Sequence, residues 1–238
     1  MDLSIIIPAY NESGKIRNDI NIAAQFLLEQ KIKGEIIVVN DGSRDDTAIV
    51  VEKTPLADGI FKKLISYSPN RGKGYAVRAG MLASEGQYVM FTDTGHCTPL
   101  ECALTGLALL RDDCCDIAHG SRKLPESKIS RRLVWTRRRI SQVFRAFVCL
   151  LFGNLSRFTD TQCGFKIYKG DFARTLYAEC RTDGFSFDVE VLLRALKKGY
   201  RVCEFPIEWR SDPDSRVLPL RMARKVFSEL IQIKKMMK

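Results

Sequence analysis

The chain has 238 residues, 45% of them hydrophobic, with eight cysteines and a formal net charge of +10. The cysteines form no C-x-x-C pair and no leader-like segment precedes the first strand, so they read as reduced cytosolic thiols and exclude a disulfide framework or a zinc site. The charge calls for an anionic partner (nucleic acid, nucleotide or membrane phosphate), and the best apolar run, Ala146–Phe152, is far short of the ~20 residues that cross a bilayer.

Leu3–Pro8 (LSIIIP) has the length and apolar content of a buried strand, and AYNESG after it is a polar turn. Lys15–Glu29 carries Ile16, Ile20, Ala23, Phe26 and Leu27 at helical spacing. Glu35–Asn40 (EIIVVN) predicts a second buried strand, followed by DGSRDDT, a turn that enters a helix with Asp45 or Asp46 as N-cap. Phe61–Tyr67 is a weaker third strand, and the turn NRGKG introduces a helix over Lys73–Ser84. Gln87–Thr92 is the fourth strand, Pro99–Leu110 the next helix, and Asp116–His119 opens a short fifth strand ending at GSR. Strand–turn–helix units in series predict one α/β domain over residues 1–238, a mostly parallel sheet with helices on both faces. PAYNE, NDGSRDDT and TDTGH then share the sheet's carboxyl edge, where ligands bind in such folds.

The second half is more basic. Lys123–Arg145 holds eight cations and one acid, Glu126, and runs into an apolar segment. Val217–Lys238 repeats the theme, predicting basic amphipathic helices whose apolar faces either enter a membrane interface or pack in the core. The cations lie beside aliphatic residues rather than between stacking aromatics, so nucleic acid is the disfavoured partner.

PAYNE at 8–12, VVNDGSRDDT at 38–47 and NRGKGYAVRAG at 70–80 together resemble the family 2 glycosyltransferases, inverting enzymes of the GT-A fold. GSR at 120–122, DTQCGFKIY at 160–168, FSFDVEVL at 185–192 and SRVLPL at 215–220 are similar to the dolichyl-phosphate β-glucosyltransferase and polyprenyl-phosphate branch. The resemblance implies a UDP-linked hexose donor, glucose by family weight, and a polyprenyl or dolichyl phosphate acceptor. It implies that residues 1–122 hold the donor, and that 123–238 face the acceptor and an anionic membrane surface or membrane subunit. Pro8, Ala9, Tyr10 and Glu12 would line the nucleoside, Asp41 would face the uracil, and Gly72 and Lys73 would sit by the base and phosphates. Asp93 is the first acid of the family's DxD metal motif, but Gly95 stands where the second is expected. A Mg²⁺ or Mn²⁺ ion would then rest on Asp93 with diphosphate oxygens, His96 being a further candidate ligand. Asp160 and Asp188 are the other candidate catalytic carboxylates, with helix capping as the alternative for each. Arg122, Gln162, Arg137 and Arg138 are the candidate acceptor contacts.

A phosphate monoester, with a second pKa near ~6, is already an anionic nucleophile and needs no strong base. A sugar hydroxyl would need one. The expected activity is hexose transfer to a lipid phosphate by a peripheral protein at the cytoplasmic membrane face. The alternatives are transfer to a saccharide hydroxyl, or a catalytically weakened nucleotide-sugar binder. The two amphipathic segments leave room for a homodimer.

Overall fold

The computed structural model describes residues 1–131, 135–211 and 219–237, those at 131, 135–140 and 219–223 by backbone alone. In chain order the first half supplies β1 (Leu3–Ala9), α1 (Ile16–Glu29), β2 (Gly34–Asp41), α2 (Thr47–Lys53), β3 (Phe61–Tyr67), α3 (Lys73–Leu82), β4 (Tyr88–Thr92), α4 (Cys102–Arg111) and β5 (Ile117–Ser121). β6 (Lys128–Arg131), α5 (Trp135–Leu151), β7 (Phe165–Lys169), α6 (Gly170–Glu179), α7 (Phe187–Lys197), β8 (Val202–Pro206), β9 (Glu208–Arg210) and α8 (Pro219–Met236) follow.

Seven strands form one sheet in the order β3-β2-β1-β4-β7-β5-β8, and β6 pairs with β9 beside it. β1, β2 and β4 are buried almost throughout, because helices cover both faces and every side chain needs an apolar neighbour. β3, at the edge, has no fully buried residue and is exposed at Phe61, Lys63 and Ser66, which is why its sequence pattern is weaker.

The expectation of a mostly parallel sheet holds with one departure. β7 runs antiparallel to both β4 and β5 and lies between them. After β5 the chain passes out through β6 and α5 and re-enters the sheet from its carboxyl edge, so β7 points the opposite way. Thr92 pairs with Phe165, and the residues just before β7 therefore arrive opposite those just after β4. The inserted strand also interleaves the 1–122 and 123–238 portions in a single sheet.

Three apolar clusters hold the layers. β1, α1 and α4 share the first, α3, α6 and one face of α7 (Phe187, Val191, Ala195) the second. The third joins α5 through Val148, α7 through Val189, Leu192 and Leu193, and α8 through Leu230 and Ile233. Phe147 and Phe227 meet edge to face at 4.7 Å between ring centroids, locking α5 to α8. Of the two fates expected for the amphipathic segments, core packing is the one these residues adopt, while Val143, Leu150 and Ile231 stay exposed on the outer faces. Among the described residues no helix is long and apolar enough to cross a membrane.

Ile167, fully buried on β7, packs on α4 at Gly106, where an added Cβ would lie 2.7 Å from its Cδ1. Ile167→Ala should destabilise the protein by about 2–5 kcal/mol. Urea unfolding checks this; an unchanged midpoint would mean that β7 is not a core strand.

Candidate active site

Because β1, β2 and β4 are parallel, their carboxyl-end loops meet, and the structure laces the first two together. Asn11 N–H donates to Ser43 Oγ, Glu12 N–H to Thr47 Oγ1, and Arg44 N–H to Asn11 Oδ1. The helix-entry chemistry falls to Asp45. Asp46 is the N-cap position without a side-chain bond, whereas Asp45 Oδ1 accepts from Thr47 N–H at 3.1 Å and Asp45 Oδ2 from Ser13 N–H. These bonds outweigh burial and hold the Asp45 carboxyl down at about 2. Pro8 and Ala9 end β1 beneath this lattice, and Tyr10 and Glu12 stand on the loop above.

Asp41 is buried and gives both oxygens to the NRG turn. Oδ1 accepts from Arg71 N–H at 2.8 Å, and Oδ2 accepts from Asn70 Nδ2 at 2.7 Å and from Gly72 N–H at 3.0 Å. A carboxylate so engaged sets the position of Gly72 and of Lys73, the first residue of α3.

Lys73 Nζ reaches Asp93 Oδ1 at 2.6 Å, joining the start of α3 to the end of β4. Burial opposes the Lys73 charge, but Asp93 and Asp188 outweigh it and raise the ammonium pKa. The β4–β7 register places Gly164 against Asp93, and a Cβ at Gly164 would overlap the Asp93 carboxylate. Gly95 has φ +85°, a conformation that L side chains rarely adopt, and donates its N–H to Asp19 of α1 at 3.0 Å. The loop thus turns at Gly95, where the resemblance led to the expectation of a second acid. His96 follows at φ +48°, its carbonyl accepting from Arg210 Nε, and burial, then the Arg210 charge, lower its pKa.

Asp188 is not the N-cap of α7. Ser186 holds that position, and the Asp188 carboxylate forms a buried ion pair with Lys166 of β7. Burial pushes the Asp188 pKa up, against the pull of Lys166 and then Lys73. Asp160 is likewise no cap. Arg122 grips it in two parallel bonds, Nε to Oδ2 at 2.6 Å and Nη2 to Oδ1 at 2.8 Å. The Arg122 charge overcomes burial and holds this carboxyl well below its ordinary range. Glu204 on β8 fixes the segment by accepting from Thr159 N–H at 2.8 Å and Asp160 N–H at 3.0 Å, and the Trp209 ring lies 5.3 Å from the Arg122 guanidinium. Gln162 turns toward the Phe185 carbonyl, 3.5 Å away. Arg137 and Arg138 lie on the α5 backbone, and their side chains fall outside the described residues.

The Asp93 charge acts on Lys73, Asp188 and Arg122, so the three ion pairs form one electrostatic cluster at the carboxyl edge. Sequence reasoning missed Lys166, His119, Glu204 and Trp209. His119, the β5 residue opposite Lys166, is fully buried with neither ring nitrogen hydrogen-bonded to protein. Burial, then Lys166 and Arg122, depress its pKa far below the usual value.

Among the described residues, no three His, Cys, Asp or Glu side chains cluster to hold a metal ion. Asp93 by itself fits a Mg²⁺ or Mn²⁺ shared with oxygens of a bound diphosphate, since such ions often take only one or two protein carboxylates. The room that Gly164 leaves around that carboxylate suits the same use.

The depressed His119 pKa makes stability depend on pH with a definite sign. The unfolded chain takes up a proton near the ordinary value of about 6.5, and the folded one does not. Stability is therefore complete above that pH and falls below it, by up to about 1.4 kcal/mol per pH unit. Urea titrations between pH 7 and 5 should show this slope, and His119→Gln should remove it apart from the contribution of His96.

Comparison with known proteins places the chain in a family. The family described as "Glycosyl transferase family 2" matches residues 4–167. A dolichyl-phosphate beta-glucosyltransferase of Drosophila melanogaster is 35% identical over 95% of this chain and 74% of its own length. Its counterpart in Saccharomyces cerevisiae is 32% identical over 98% of this chain and 74% of its own. Among solved structures, glucosyl-3-phosphoglycerate synthase of Mycobacterium tuberculosis, in complex with Mn²⁺, UDP and phosphoglyceric acid, superposes with a TM-score of 0.74. It covers 98% of this chain and 78% of its own at 18% identity, a likeness of fold alone. The fold is of the GT-A type, and the chain belongs to glycosyl transferase family 2.

Proposed function

We propose that the protein transfers glucose, with inversion, from UDP-glucose to a polyprenyl or dolichyl phosphate. One observation carries the choice of acceptor: each candidate carboxylate is held by its own cation. Asp93 is bound by Lys73, Asp160 by Arg122 and Asp188 by Lys166. Asp160 is held strongly acidic and Asp188 is enclosed, so neither is a free base of the kind a hydroxyl acceptor requires. A phosphate acceptor arrives as its own anionic nucleophile. The dolichyl-phosphate beta-glucosyltransferases among its relatives act on such a lipid by name.

In this reading the loops after β1 and β2 and the NRG turn take the nucleoside, with Asp41 positioning Gly72 and Lys73. Lys73 meets the donor diphosphate. An oxygen of the acceptor phosphate attacks the anomeric carbon as its bond to the β-phosphate oxygen breaks, and UDP departs with the electron pair. Lys73 then faces the negative charge that grows on the departing diphosphate, where preorganised cations act most strongly, while Arg122 holds the acceptor phosphate, whose charge falls as it bonds to the sugar. A divalent ion on Asp93, when bound, would neutralise further diphosphate charge; structural neighbours hold Mn²⁺ or Mg²⁺ with UDP. Arg137 and Arg138 on α5, with the cations of α8, would meet an anionic surface, placing the protein peripherally on the cytoplasmic face of the membrane.

Radiolabelled UDP-glucose incubated with polyprenyl phosphate should yield lipid-extractable label. Label confined to water-soluble glycan would overturn the acceptor assignment, and intact UDP binding without any turnover would overturn the activity. Asp93→Asn should lower kcat by about 10²-fold or more. EDTA should abolish turnover and Mn²⁺ or Mg²⁺ restore it; full activity in EDTA would remove the ion from this scheme.

A further inference from the structure

We infer that Glu229, on the C-terminal helix α8, is a positioning residue for the transfer reaction, a conclusion that rests on the donor site just described. Glu229 is buried, yet it belongs to none of the three ion pairs of the site. Its Oε2 accepts from Ser186 N–H at 3.1 Å, at the head of α7 and two residues before Asp188. A carboxylate there also meets the positive end of the α7 dipole, and the Ser186 side chain supplies no cap of its own. Ser186 Oγ in turn donates to Val226 O at 3.4 Å, a second link to α8.

The segment that Glu229 holds, residues 182–186, is pressed from the other side by the start of α3. Tyr75 N–H donates to Asp183 O at 3.2 Å, and Arg78 of α3 pairs with Asp183 at 2.6 Å. A Cβ at Gly74 would overlap the carbonyl oxygen of Thr182 and lie 2.9 Å from that of Gly184, so backbone meets backbone with no slack. On the α8 side, a Cβ at Gly184 would overlap the Glu229 carboxylate. The stack therefore runs α8, then the 182–186 segment, then the turn that carries Lys73. Loss of the Glu229 carboxylate frees Ser186 N–H and loosens both neighbours of this segment, Lys73 of the donor site and Asp188 of the ion-pair cluster.

The test compares Glu229→Ala and Glu229→Gln with the parent, by UDP titration calorimetry and by transfer kinetics well below the melting midpoint. The alanine variant should bind UDP about tenfold more weakly and lose about tenfold or more in kcat, as expected for a misplaced contact at the reacting centre. Glutamine, whose amide oxygen can still accept from Ser186 N–H, should restore most of both. If Glu229→Ala does not fold, Gly184→Ala displaces the same carboxylate and must reproduce the loss. A folded alanine variant with parental UDP affinity and kcat, and only a lowered melting midpoint, would overturn the inference. Should the parent make no lipid-linked glucose, the acceptor reading fails, while the ratio of UDP affinities still decides the role of Glu229.

Discussion

Charge matching governs this site. A carboxylate that loses its water must gain hydrogen-bond donors or a cation, or become protonated, and three carboxylates that rely on cations meet at the carboxyl edge of one sheet. The fold answers with three cations from three different segments: Lys73 at the start of α3, Arg122 after β5, and Lys166 inside β7. Every one of these pairs joins residues remote in sequence, so the site exists only when the whole sheet is assembled. It is also balanced before any ligand arrives, three positive charges against three negative. An incoming diphosphate tips that balance negative, which gives a physical reason for a divalent ion to accompany it even with Asp93 as its one protein carboxylate.

The reversed direction of β7 is what makes the matching possible. A parallel strand in that place would deliver its leading residues to the amino edge, far from Asp93. Entering from the carboxyl edge, the segment that leads into β7 brings Asp160, Cys163 and Gly164 to the end of β4 that carries Asp93, and β7 itself carries Lys166. Cys163, buried between Arg122, Asp160 and Lys166, has its thiol pushed up to about 12, first by burial, and stays a neutral filler among charges. His119 does the same on β5. Neutral groups packed among the ion pairs keep the local dielectric low and sharpen the fields that the paired groups exert.

What could be read from the sequence follows from locality. Polar turns after apolar runs announce a carboxyl edge, so the loops after β1, β2 and β4 were legible, as was Asp93 at the end of β4, whereas Asp41 and Lys73, the latter beyond β3 at the start of α3, were singled out by the family resemblance. Asp160 and Asp188 were legible as candidates, though not their partners. Lys166 sits in FKIYK, where it looks like the solvent side of an alternating strand; only the helix packed over that face makes it a buried cation. Glu204 and Trp209 act across strands, and nothing in their own neighbourhoods marks them. The antiparallel sense of β7 was hidden for the same reason, since a strand's direction depends on where the chain re-enters the sheet. The apolar faces of α5 and α8 fitted a membrane interface or a core equally well, and α7 supplied the missing partner for Val148, Leu230 and Ile233.

The meeting of Gly164 with Asp93 makes the sheet check its own alignment. Slide β7 by a single residue and either Cys163 or Phe165 would thrust a side chain into the space of that carboxylate, while Lys166 swung to the opposite face. A chain mispaired in this way could still bury much of its apolar surface, but it would offer a sugar nucleotide nowhere to settle. Substrate in the surrounding solution thereby acts as an inspector, adding stability to molecules whose central strands are threaded correctly and none to the rest.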